Sequence, residues 1–216
     1  MSRFFAPFAA LFVAVAILGS SAQACAGQIG GRHIFAGANK HDCPTWPTGT
    51  GILKDGDFHR QVNPGRGYYE YWRGSVFAAG WQPVKRGSID FNGSTGWGSQ
   101  PPNGVCTIDM DGLSAGTIRT KPFATTPSAG YTATFILSGN GFCPPQIKGL
   151  RISATGQSQE YTWDISGGND ASNGVWVAET WGFTAVSTST SLTVQSLDPK
   201  QSHCGPVVGA FAVTPD

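Results

Sequence analysis

Tyr131-Thr132-Ala133-Thr134-Phe135-Ile136-Leu137 decides the fold class. Tyr131, Ala133, Phe135 and Leu137 fall on one side of an extended chain, with Thr132 and Thr134 on the other. That period of two belongs to a half-buried strand and not to a helix. Leu150-Arg151-Ile152-Ser153-Ala154 repeats the alternation, and so does Leu192-Thr193-Val194. Working outward, residues 52–58 read as a first strand weakened by Lys54-Asp55-Gly56-Asp57, and residues 68–72 as a second. Residues 81–91 read as a strand pair. Residues 175–186 form a long strand whose alternation slips near Glu179 and Gly182, which implies a bulge. Residues 205–213 close the domain, and the Ser/Thr run 187–191 is a turn. No window of useful length has a helical period. About ten strands at intervals of roughly 8–12 residues make the pattern of a sandwich or barrel.

Composition agrees. The 30 Gly and 14 Pro, with only 12% charged residues, are poor helix material and suit short strands joined by tight turns. A chain of 216 residues fits one large β domain with a real core. Residues 1–24 read as an export leader. Arg3 supplies the positive start, residues 4–18 the apolar stretch, and Ala22-Gln23-Ala24 the cleavage site. The apolar run is too short to span a bilayer, and Gly19-Ser20-Ser21 ends it. Ala22 stands where a lipoprotein leader places a Leu-like residue ahead of Cys25. Residues 25–50 are a polar, irregular extension, and residues 51–216 the sandwich. A secreted or periplasmic location follows, with no membrane span in the mature chain.

Loss of Arg3 with the leader leaves 13 Lys+Arg against 13 Asp+Glu. A near-neutral surface has no long-range pull on phosphate backbones or acidic lipids, so nucleic acid is not an expected partner. Five cysteines are present. Cleavage after Ala24 keeps all of them; cleavage after Ala26, where Ala24-Cys25-Ala26 also fits, keeps four. There is no C-x-x-C spacing of the zinc or thioredoxin kind. In an oxidising compartment the default is two disulfides, with three pairings open.

Catalytic motifs are absent. There is no G-x-S-x-G, no H-E-x-x-H and no phosphate loop. Of the four histidines His33, His41, His59 and His203, the pair His41-Asp42 with His33 nearby matches no metal-site spacing. A glycosidase needs two carboxylates across a cleft. Asp109 and Asp111 share a face of one strand, where side-by-side acids are ordinarily surface groups, or one of them caps a turn; Glu160, Asp164, Asp170 and Glu179 are scattered. No catalytic residue is assigned. Asp55-Gly56-Asp57 resembles part of a calcium loop but lacks the further ligands and terminal Glu. It reads as a solvated turn, and no cofactor or metal is expected.

The seven tryptophans are more informative. Sugars stack apolar C–H faces on indole rings and offer hydroxyls to Asn, Asp and backbone. Trp97, in the polar loop 94–100, is the first candidate platform, with Asn103 and Asn140 as hydroxyl partners. Trp72, beside Tyr68, Tyr69 and Tyr71, is the second. Trp81, Trp163 and Trp181 sit in strand patterns and are expected to pack onto the sandwich.

Four stretches carry a family resemblance. Gly80-Trp81-Gln82-Pro83-Val84 with Gly87-Ser88-Ile89-Asp90 resembles a G-W-x-V…G-S-V-D strand pair. Trp97 through Thr107-Ile108-Asp109-Met110-Asp111-Gly112 resembles W…S-I-D-L-N-G. Phe123-Ala124-Thr125-Thr126-Pro127 with residues 130–140 resembles F-A-T-x-P-G-x-x-Y-T-x-x-F-x-L-A-G-N. Residues 176–189, 192–197 and Cys204-Gly205-Pro206 resemble the closing strands. In this order, over roughly 160 residues, they are similar to the DUF642 family, including its bacterial choice-of-anchor C group. The resemblance implies a galactose-binding-like jelly-roll β-sandwich. It implies a Cys143–Cys204 disulfide, leaving Cys43 with Cys106. It also implies a noncatalytic role in binding polysaccharide at the cell wall or envelope. His59 stands where the family's opening motif has Glu, and residues 205–211 lack the closing acid, which argues against a structural calcium. The chain stops at Asp216 without a sorting signal, which suits a released or periplasmic form. The alternatives are an adhesive or structural envelope protein that binds another protein, and a glycan hydrolase.

Overall fold

The computed structural model describes residues 51–216, apart from 60, 62, 65, 66, 86 and 94–100. The leader, the 25–50 extension and the Trp97 loop therefore lie outside the described residues. Three strands appear where alternation placed them. β7 (Gly130–Gly139) buries Tyr131, Ala133, Phe135 and Leu137 and leaves Thr132 and Thr134 half-buried. β8 (Ile147–Ala154) buries Leu150, Ile152 and Ala154, and β12 (Thr193–Ser196) buries Val194. Around them lie β1 (Tyr68–Trp72), β2 (Trp81–Pro83), β3 (Ser88–Asn92), β4 (Thr107–Asp109) and β5 (Thr117–Thr120). β6 (Phe123–Ala124) pairs with β11 (Ser189–Thr190), so the Ser/Thr run carries a short strand. β9 (Gln157–Asp164), β10 (Val177–Thr184) and β13 (Pro206–Pro215) complete the set.

The strands form a six-stranded sheet, β1-β3-β4-β13-β7-β10, and a five-stranded sheet, β2-β5-β12-β8-β9. Every pairing between these strands is antiparallel. The chain passes back and forth between the sheets, and both bury their inner faces in one core. This is the expected all-β jelly-roll sandwich. Trp81 and Trp181 are in the core. Trp163 is half-buried against it and donates through Nε1 to the Asn169 carbonyl at 2.7 Å.

Three expectations fail for backbone reasons. Residues 52–58 are a turn, because Asp55 and Phe58 have φ of 58° and 56°, a left-handed backbone that no pleated strand accepts. Gly56 lies so close to β13 that a Cβ there would stand 2.2 Å from the Phe211 carbonyl oxygen. Residues 81–91 are not a pair; β2 and β3 belong to different sheets, with Lys85 at φ 63° and Gly87 at φ 103° turning the chain between them. β10 pairs with β7 without a break, and the bulge lies in β13 between Gly209 and Ala212, where Ala210 has φ 51°.

The turn at 52–58 drives Phe58 into the core. Its ring lies 5.9 Å from Phe77, 5.7 Å from Trp81, 6.1 Å from Phe91 and 6.4 Å from Phe211, so four aromatics depend on one side chain. At the far end of the core sits a charged knot. Lys148 is fully buried, and its Nζ donates to the carbonyls of Cys143 at 2.8 Å and Cys204 at 2.5 Å. Those cysteines form the disulfide that the resemblance implied, with Cα atoms 5.6 Å apart. Cys106 is also disulfide-bonded; the pairing with Cys43 falls on a residue outside the described ones.

Asp109 and Asp111 are not surface groups: both are fully buried beneath the backbone of Gly205. Asp109 accepts from Asn140 Nδ2 at 2.7 Å and from the amides of Asp111 and Gly205 at 2.9 Å. Both Asp111 oxygens are buried, with Ser196, Ser202 and Asp198 beside them. Burial raises the pKa of Asp109 and Asp111. Burial, and then the Glu70 charge, push Asp90 up to about 7. Burial also takes Asp198 to about 7, with Asp111 adding to it and the Gly149 amide and Lys148 opposing. Lys148 is lowered by burial and held up by Asp198, Asp109 and Asp111.

Two outcomes are expected. Phe58→Ala should lose about 3–5 kcal/mol of folding free energy by leaving a cavity among the four rings, read by chemical denaturation. For Asp90 and Asp198, the folded state holds protons that the unfolded chain releases near pH 4. Their contribution is full below that and is lost as pH rises through about 7. A rise of this size costs at most about 4 kcal/mol per group above pH 7. Asp90→Asn should therefore stabilise the protein at pH 8 and change little near pH 4; an equal effect at both would be the contrary result.

Candidate functional site

β1 is the outer strand of the six-stranded sheet, in register Tyr68↔Asn92, Glu70↔Asp90 and Trp72↔Ser88. Its period of two sends Tyr71 inward, where it lies 5.7 Å from Phe77. Tyr68, Glu70 and Trp72 point the other way. The two rings stand four residues apart, roughly 13 Å along the strand. Tyr68 is 44% exposed, and Tyr69 and Trp72 are each 46% exposed. Between the rings, Glu70 Oε1 accepts from the Leu113 amide at 3.1 Å. The strip thus offers apolar ring faces with a carboxylate between them.

The other sequence candidates are distributed as follows. Trp97 lies outside the described residues. Asn103 is exposed on a short turn, with φ 56°. Asn140 is buried; its Nδ2 donates to Asp109 at 2.7 Å and its Oδ1 accepts from the Phe142 amide at 3.0 Å. Both its polar groups serve the fold.

Asp55, Asp57 and His59 bring one ligand atom each to within 4.8 Å of one another. The two aspartates are buried, which corrects the reading of a solvated turn. Asp55 Oδ2 accepts from Gln61 Nε2 at 2.6 Å and from the Ala79 amide at 3.1 Å, and Asp57 Oδ1 lies 2.7 Å from His59 Nδ1. Hydrogen donors thus already compensate the Asp55 carboxylate. An imidazole also departs from the all-oxygen set calcium prefers, so the residues fit that ion poorly.

One surface went unread in the sequence. The outward face of the five-stranded sheet is polar from edge to edge. One cross-strand row runs Gln82, Arg119, Thr193, Ser153, Ser158; the next runs Thr117, Gln195, Arg151, Glu160. Over these rows, apart from Gln82 and Thr117, lies an open trough of about 510 Å³. Arg151 Nε donates to Glu160 Oε1 at 2.9 Å, Arg119 Nε to Thr193 Oγ1 at 3.3 Å, and Lys85 Nζ to Gln195 Oε1 at 3.5 Å. The alternation of Arg119, Arg151, Ser153, Ser158 and Glu160 was visible in the residues, but only strand order and register make it one surface.

No curated protein matches the sequence. Among solved structures, the chain is similar to a family 35 carbohydrate-binding module from Paenibacillus barcinonensis. Identity is 14% and the TM-score 0.38, over 69% of this chain and 98% of that one. It is also similar to TmCBM61 in complex with β-1,4-galactotriose, at 13% identity and TM-score 0.41 over 77% and 99%. A third is a CBM4 structure, at 11% identity and TM-score 0.42 over 76% and 99%. The family model of DUF642, described as a protein of unknown function, matches residues 51–214, and the chain belongs to that family.

Proposed function

We propose that this protein is a noncatalytic glycan-binding domain that is exported and works at the cell envelope. The observation that carries the reading is the strip Tyr68-Glu70-Trp72, two half-exposed rings on one face of an edge strand with a carboxylate between them. Rings in water are costly unless a ligand covers them, and a sugar face covers an indole while its hydroxyls reach the carboxylate. Trp97 is retained as a further stacking ring, and Asn103 as a further hydroxyl partner. A noncatalytic role is supported by Asp109 and Asp111, the adjacent acids beside Lys148, which are shut inside the fold. The four motifs support a kinship with the choice-of-anchor C group, and the leader supports export to the periplasm or medium.

The test is a glycan and polysaccharide array probed with the mature chain, alongside Trp72→Ala, Tyr68→Ala and Trp97→Ala. Trp72→Ala should weaken binding about ten-fold, the scale of one lost stacking contact, with an unchanged melting temperature. Absence of binding by the intact chain to every glycan would overturn the reading and leave a protein partner as the occupant of the strip.

A further inference from the structure

The outward face of the five-stranded sheet carries a charge pattern that the aromatic strip does not explain. Arg119, Arg151 and Lys85 converge on it against one acid on its floor, Glu160. Lys85 reaches Gln195, which sits opposite Arg151 in register, so these three groups follow one another along one row. Arg119 stands in the adjacent row, two strands away from Arg151. Among the described residues, neither Lys85 nor Arg119 has a carboxylate partner; both bond only to neutral side chains. The trough runs on past Lys85 and Gln195 into a second hollow bordered by Lys200, with the largely buried Asp198 at its base.

We infer that this trough is a second binding surface for an extended carboxylated polysaccharide, a polymer of uronate sugars. The inference rests on the glycan-binding reading and names a ligand class for a face distinct from the Tyr68–Trp72 strip. Charge complementarity selects the class. Guanidinium groups can take carboxylates in a two-pronged fork, and Arg151 already holds a carboxylate here, its Nε and one terminal nitrogen both donating to Glu160 Oε1. An exposed pair of this kind is weakly held, so a ligand carboxylate can replace Glu160 at little cost. Between Arg119 and Arg151 lie Thr193 and the amide of Gln195, with Ser153 and Ser158 alongside, which match the hydroxyls of a sugar chain. Its floor is four strands, β5, β12, β8 and β9, which at about 4.8 Å spacing make it roughly 14 Å across, room for two or three sugar units. Arg119 and Arg151, two strands apart, are spaced for acids on alternate units. A nucleic acid is the poorer fit. The two rows hold no aromatic ring for a base to stack on, and the near-neutral chain lacks the charge that polyphosphate binding requires.

The experiment measures binding of the full mature chain to polygalacturonate and to the same polymer fully methyl-esterified, at low and at physiological salt. Heparin and single-stranded DNA are the competing polyanions, and a neutral polysaccharide from the array is the control. The intact chain should bind polygalacturonate at least ten-fold more tightly than the ester. Arg119→Gln and Lys85→Gln should each lower that affinity several-fold and leave the neutral control unchanged. Glu160→Gln should raise it, a gain that a merely damaged fold cannot give. Equal affinity for acid and ester overturns the trough proposal, as does indifference to all three substitutions; neutral-glycan binding lost with Trp72→Ala would still stand. Heparin or DNA bound as tightly as polygalacturonate, with the same losses, overturns the carboxylated glycan in favour of nonspecific polyanion capture.

Discussion

The buried ammonium of Lys148 is the constraint on which one whole end of the sandwich depends. A charge without water must be answered by nearby oxygens or it will not stay folded. Here the answers come from distant parts of the chain. β8 supplies the lysine, the two disulfide cysteines supply carbonyls, β4 supplies Asp109, and the segments after β4 and β12 supply Asp111 and Asp198. The disulfide and the lysine share the same two residues, so covalent and electrostatic restraints converge on one place. Asn140 belongs to this knot through Asp109, which is why it is buried at a position that looks like a loop.

The legibility of the fold follows from this physics. Strands with one wet and one dry face announce themselves by alternation, and residues 131–137, 150–154 and 192–194 were read on that basis. β9 was missed because Gln157, Ser158, Gln159 and Glu160 hold an edge position and give no apolar period. The errors at 52–58 and 81–91 share a cause. Left-handed residues such as Phe58 and Lys85 redirect the chain, and nothing in an apolar pattern reports them. The site was legible to the same degree. The aromatic run 68–72 was visible, but which rings face water depended on knowing that Tyr71 meets Phe77. Asp109 and Asp111 looked like surface acids because period two gives their face and says nothing of what covers it.

The two candidate surfaces divide the chemistry of a glycan between them. The edge of the six-stranded sheet offers rings, which are indifferent to charge and reward flat apolar faces. The floor of the five-stranded sheet offers guanidinium, ammonium, hydroxyl and amide groups and no ring in its two rows. A sandwich suits such division because its two outer faces are independent of each other and of the core. Substitutions on either leave the aromatic cluster around Phe58 untouched.

The bulge in β13 has a consequence for how that strand can be edited. Two of its residues, Ala210 and Phe211, stand opposite the single Phe135 of β7. The extra residue resets the strand's phase. Val208 faces the main core before it, and Phe211 and Val213 face the same core after it, while Ala210 joins the small outer cluster with Val105 and Ile136. It also turns the Phe211 amide away from the ladder to meet the Gly56 carbonyl at 2.9 Å, tying the opening turn to the closing strand. The strand is thus written in two frames joined at one residue. Removing that residue would merge the frames and turn either the first half or the second inside out, so β13 tolerates exchange of its letters far better than any change in their number.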